Sequence, residues 1–143
     1  HLGNLALSML YGCPDFIQDA ARDALTREVP ELQAMHESYR ARRDAVCAAL
    51  ADCPAVEVIP PAAGMFLMVD IRATGLSSQA FADRLLDEHG VSVLSGEAFG
   101  PSAAGFVRLS LTVDEARLTD ACRRLARCAE TARDTAGPLF TVQ

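Results

Sequence analysis

The apolar residues change their period at Pro54, and that change limits the chain to a fold in which helices cover a small sheet. Before it, Leu32, Met35, Tyr39, Val46 and Leu50 recur at steps of three and four, the signature of a helix over 30–52. After it come two short extended segments, Val56–Ile59 and Met65–Ile71, separated by the stiff turn Pro60-Pro61-Ala62-Ala63-Gly64. Ser77 then caps a helix over 78–89 with the apolar stripe Phe81, Ala82, Leu85 and Leu86, and Gly90 stands where a glycine stop belongs. A strand over Val91–Leu94 follows, then a loop over Ser95–Gly105 rich in glycine and small residues, then the strand Phe106–Leu111. Thr112 and Glu115 read as a capping box opening a last helix, whose apolar face is Leu118, Ala121, Cys122, Leu125 and Ala129. The order helix, two strands, helix, two strands, helix predicts an α+β unit of two layers, with helices on one face of a small mixed or antiparallel sheet.

The residues ahead of this unit read differently. Residues 1–12 show little periodicity, and Pro14 and Asp15 open a helix over 14–28 with Phe16, Ile17, Ala20, Ala21, Ala24 and Leu25 on one side. That helix has no strand partner, which assigns it to a neighbouring domain. The first residue is His1 rather than methionine, which suggests a fragment or a processed product.

Composition narrows the chemistry. All 13 basic side chains are arginine and lysine is absent, so no side chain here can form a Schiff base with a carbonyl cofactor or serve as a P-loop lysine. The net charge is −6, with the arginines scattered among 19 acids, which argues against a nucleic-acid partner. No apolar run is long enough to span a bilayer, and no signal-peptide pattern stands at the start, so no membrane partner is expected. The five cysteines, Cys13, Cys47, Cys53, Cys122 and Cys128, lack metal or disulfide spacing and fit a reducing, cytoplasmic setting. Cys122 and Cys128 read as buried helix thiols. His36 and His89 have no evident third ligand or nucleophile partner and receive no metal or catalytic role.

One residue carries a specific chemical possibility. The period of two in Phe106–Leu111 places Val107, Leu109 and Leu111 on one face and Phe106, Arg108 and Ser110 on the other. Arg108 is then either an ordinary exposed arginine or a guanidinium fixed mid-strand to grip a carboxylate in a bidentate fork. Likewise Pro60–Gly64 is either a plain turn or a rigid edge beside a ligand, and Gly96–Gly100 is open to being a mere connector.

In order and spacing, several segments resemble the C-terminal part of a class I/II, fold-type I aminotransferase, an enzyme that uses pyridoxal phosphate. They are Pro14-Asp15-Phe16-Ile17-Gln18, Tyr39-Arg40-Ala41-Arg42-Arg43-Asp44, Pro61-Ala62-Ala63-Gly64-Met65-Phe66, Gly90-Val91-Ser92-Val93 with Gly96-Glu97-Ala98-Phe99-Gly100, and Val107-Arg108-Leu109-Ser110. The resemblance implies that residues 1–29 end a large cofactor domain. It makes 30–134 the small domain, with a bridging helix over 30–52, and 135–143 a tail. It implies that Arg108 binds the substrate α-carboxylate, and that Ala63, Gly64 and Phe66 line the cleft. The loop Tyr11-Gly12-Cys13 would approach the active site of the other subunit of a homodimer. The implied reaction passes an amino group from an amino acid to a 2-oxo acid through the cofactor, whose lysine lies in the missing large domain, so the chain alone would be silent. Aspartate, aromatic or basic amino acids with pyruvate or 2-oxoglutarate are the implied substrates. The other readings are a free-standing amino-acid-sensing module, the aminotransferase-like domain of a transcription regulator and, within the enzyme class, a carbon–sulfur lyase or related enzyme on the same fold.

Overall fold

The computed structural model describes residues 1–10 and 12–136. They form two compact units, one over His1–Met35 and one from His36 onward.

In the first unit the opening residues are helical, although they show little periodicity: α1 spans Leu2–Leu10. Its leucines, alanine and methionine are strong helix formers, and a segment apolar on nearly every side has no stripe to detect. The Ser8 hydroxyl donates to the Asn4 carbonyl one turn back at 2.9 Å. Pro14 precedes α2, Asp15–Thr26, and the Gln18 amide reaches back to the Cys13 carbonyl at 2.6 Å. The expected apolar face of α2 is present but uncovered: none of its residues is buried, and Phe16 and Leu25 are 75% and 87% exposed. Helix α3, Pro30–Leu50, begins in this unit and continues into the second.

The second unit contains β1 (Glu57–Ile59), β2 (Phe66–Asp70), α4 (Ser78–His89), β3 (Leu94–Ser95), β4 (Phe106–Ser110) and α5 (Glu115–Ala136). All strand pairs are antiparallel, in the order β1-β2-β4-β3. Alternation along the strands buries Leu67, Val69, Val107 and Leu109 on one side. There they join Val46 and Leu50 of α3, Phe81 and Leu85 of α4, and Leu118, Cys122, Leu125 and Ala129 of α5 in one apolar cluster. This is the α+β architecture of helices on one sheet face, with the sheet wholly antiparallel. Burial pushes the Cys122 thiol up to about 11, which keeps it protonated near neutrality. Among the described residues no helix is long and apolar enough to cross a membrane.

Local chemistry explains where elements begin and end. The Ser77 hydroxyl accepts the Ala80 N–H at 3.2 Å, and Gly90, left-handed at φ 66°, closes α4. Its N–H goes to Leu86, and the Val91 N–H goes to the Leu85 carbonyl at 3.3 Å. Those donors cap the helix, which is why the strand expected over Val91–Leu94 is reduced to Leu94–Ser95. The loop expected over Ser95–Gly105 is more ordered than its composition indicates, with 3-10 turns at Gly96–Phe99 and Pro101–Ala103. A further 3-10 turn, Arg72–Thr74, is held by the Thr74 hydroxyl donating to the Ile71 carbonyl at 2.6 Å.

The cap of α5 corrects the sequence reading. Asp114, not Thr112, accepts the Arg117 N–H, at 2.9 Å, while the Thr112 hydroxyl pairs with that of Ser110 at 2.9 Å. Both residue types cap well, and a carboxylate gains further from the positive helix end. Asp114→Ala is expected to lower stability to urea by about 1 kcal/mol, and Thr112→Ala by only a few tenths. Equal losses in the two variants would contradict this assignment.

Candidate functional site

The face of the sheet opposite the helices carries the polar positions. Arg108 sits in its middle, opposite Met68 of β2 on one side and Leu94 of β3 on the other. Its guanidinium carbon lies 4.0 Å from the centre of the Phe66 ring and 4.8 Å from that of Phe99. Phe66 comes from the start of β2, one diagonal step across the ladder, within reach of an aromatic side chain. Phe99 comes from the first 3-10 turn after β3. Arg108 is half-buried, and among the described residues it has no ion pair and no hydrogen bond.

A second arginine on this face shows what a satisfied one looks like. Arg72 grips the Asp70 carboxylate with its Nε and a terminal nitrogen, its own N–H adds a bond at 2.9 Å, and its guanidinium lies 5.3 Å from the Phe106 ring. Hydrogen bonds from the Arg72 side chain hold the Asp70 carboxyl below its ordinary value, against the opposing effect of burial. The two arginines therefore differ in kind: Arg72 is neutralised within the fold, while Arg108 presents an uncompensated cation. Free N–H groups in a planar fork suit a carboxylate.

The frame around Arg108 is tied down from α3. Arg42 donates to the Leu111 carbonyl at 3.0 Å, just past β4, and Arg43 donates to the Pro61 carbonyl at 3.3 Å while pairing with Asp44 at 2.7 Å. The Leu111 N–H in turn donates to the Met65 carbonyl at 2.8 Å. Both ends of the Pro61–Met65 turn are thus fixed to neighbouring backbone or to the helix. Gly96 secures the turn that carries Phe99: a Cβ there would lie 2.2 Å from the Ala103 carbonyl oxygen and 2.6 Å from that of Phe106. Nothing larger than glycine fits so close to two backbone oxygens.

Of the residues singled out in the sequence, Arg108 and Phe66 are brought together, and Ala63 and Gly64 lie exposed in the turn leading into Phe66. Gly12 and Cys13 are exposed in the first unit, and Tyr11 lies outside the described residues. Phe99 and the Asp70–Arg72 pair were not anticipated as parts of this face, nor Arg42 as a tie from α3 to the end of β4. An aspartate accepting the N–H two residues on was a legible turn pattern, whereas no spacing rule reveals that a loop phenylalanine returns to a strand arginine.

Among the described residues no group of three or more His, Cys, Asp or Glu is placed to hold a metal ion. The donor set also does not fit a covalently held aldehyde cofactor, because the chain has no lysine and all its basic side chains are guanidinium groups.

A family model described as aminotransferase class I and II matches residues 1–125, and the chain belongs to that family. It is 65% identical over 129 residues, 90% of its length, to the arginine–pyruvate transaminase AruH of Pseudomonas aeruginosa, of which it covers 33%. A solved aromatic aminotransferase from Pyrococcus horikoshii superposes with a TM-score of 0.72 at 32% identity, over 81% of this chain and 31% of that one. An aspartate aminotransferase from Thermus thermophilus solved with maleate gives 0.63 at 31% identity, over 78% and 26%. The chain spans about a third of the length of the curated relatives it matches.

Proposed function

We propose that this chain supplies the carboxylate-binding part of a pyridoxal-phosphate-dependent amino-acid aminotransferase. The observation that carries the proposal is Arg108, a half-buried guanidinium with no acidic partner among the described residues, set in the open sheet face of a chain of this family. Its fork binds the α-carboxylate and thereby fixes the orientation of the α-carbon; Ala63, Gly64 and Phe66 border the substrate. Residues 30–134 act as the small domain with α3 as its bridge, and 1–29 close the large domain. Tyr11, Gly12 and Cys13 approach the partner subunit's site in a cytoplasmic homodimer. The cofactor, its lysine and the remaining machinery belong to the large domain, so these residues alone do not turn over substrate. The uncovered apolar face of α2 supports this reading over a self-contained amino-acid sensor.

The likeness to AruH makes L-arginine and pyruvate the substrates to try first. An enzyme of the relatives' full length that contains this chain is expected to form alanine from them, and the 143-residue chain is expected to form none. Alanine made by the isolated chain would refute the division of roles. A full-length enzyme that transaminates no amino acid would refute the function.

A further inference from the structure

We infer that Phe66 and Phe99 are positioning residues that clamp Arg108 between their rings, holding it charged and unpaired with its in-plane N–H groups free for a carboxylate. The inference rests on the carboxylate reading of Arg108 and adds the device that makes the arginine selective. A guanidinium has two faces and one hydrogen-bonding edge. Rings at 4.0 and 4.8 Å attract the cation through their faces, and they accept none of the in-plane hydrogen bonds a carboxylate needs. An acidic neighbour would fix the side chain equally well, but it would neutralise it, as Asp70 does for Arg72.

The clamp is assembled from two separate elements. Phe66 stands on β2, opposite Ser110, and Phe99 stands on the turn that Gly96 locks against the backbone of Ala103 and Phe106. Neither ring belongs to the buried cluster: Phe66 is 39% and Phe99 51% exposed, so core packing does not account for where they lie. Rings this close displace part of the water beside the guanidinium, and a less hydrated cation attracts a carboxylate more strongly.

The test compares L-arginine with L-argininamide, which differ only in the carboxylate, through their apparent dissociation constants in the full-length holoenzyme. Phe66→Leu and Phe99→Leu are each expected to cut the preference for the acid by about tenfold, the acid weakening by that factor more than the amide. Phe66→Tyr and Phe99→Tyr, which keep the ring, are expected to restore it. Acid and amide weakening by the same factor, or a preference untouched by both leucine variants while Arg108→Ala abolishes it, would overturn the clamp and leave the carboxylate role of Arg108 standing. A wild-type enzyme without preference for the acid, or an Arg108→Ala enzyme that keeps it, would overturn both. A second readout needs no turnover: in the 143-residue chain the Arg108 side-chain proton signals are expected upfield of free arginine and back at the free position when both phenylalanines become leucine. Signals at the free position in the unaltered chain would also overturn the clamp.

Discussion

Arg108→Ala in the full-length enzyme is expected to lower kcat/KM for the amino acid by roughly thirtyfold to several thousandfold, the equivalent of about 2–5 kcal/mol for a charge pair that loses one partner. The size of the loss follows from the surroundings. The guanidinium is half-buried, flanked by Phe66 and Phe99, and free of any acid among the described residues, so a substrate carboxylate would be its first ionic partner. Its removal leaves that carboxylate facing two rings. Arg108→Lys keeps the charge but not the planar fork, and should recover only part of the loss. Because Arg108 lies on the face opposite the apolar cluster, thermal unfolding of the alanine variant should stay near that of the parent. Unchanged kinetics, or a loss matched by a collapse in stability, would remove the carboxylate role.

Phe81→Ala is expected to be the most damaging single change to the fold, at about 3–5 kcal/mol. The ring is fully buried on α4, in the same cluster as Val69, Val107 and Leu125. Truncation costs the transfer of the ring from water and leaves a cavity in a densely packed layer. Set against a typical domain stability of about 5–15 kcal/mol, such a loss takes much of the margin. α4 also packs against β3, β4 and the turn bearing Phe99, so the candidate site should loosen with it. Leu86→Ala, on the half-exposed side of the same helix, should cost less than about 1 kcal/mol. Calorimetry on the two variants tests the ranking, and a Leu86 loss equal to that of Phe81 would place the core on the wrong side of α4.

Much of the second unit was legible because its signals are local and mutually consistent. Ser77 and Gly90 bound α4 as their chemistry requires, and the alternation in 106–111 sends Val107 inward and Arg108 outward. The errors occur where two local solutions compete. Thr112 and Asp114 both offer caps, and the side chain nearer the helix start with a full charge wins. Val91 had an apolar strand pattern, but its N–H was already taken by α4. Helix α1 escaped notice because a segment apolar on most sides has no period to read. At the site, Arg108 and Phe66 could be named from strand pattern and family resemblance. Phe99 and the α3 arginines could not, since contacts between residues 42 and 111, or between 99 and 108, depend on where a loop and a long helix return in space.

The central claim, that Arg108 is the carboxylate anchor, is tested most directly by a crystal structure of the full-length enzyme with maleate, the dicarboxylate bound to the Thermus relative. The predicted result is one maleate carboxylate within about 2.7–2.9 Å of two Arg108 nitrogens, with the Phe66 and Phe99 rings still beside the guanidinium. Maleate held elsewhere, with Arg108 unpaired or turned onto a protein carboxylate, would contradict it.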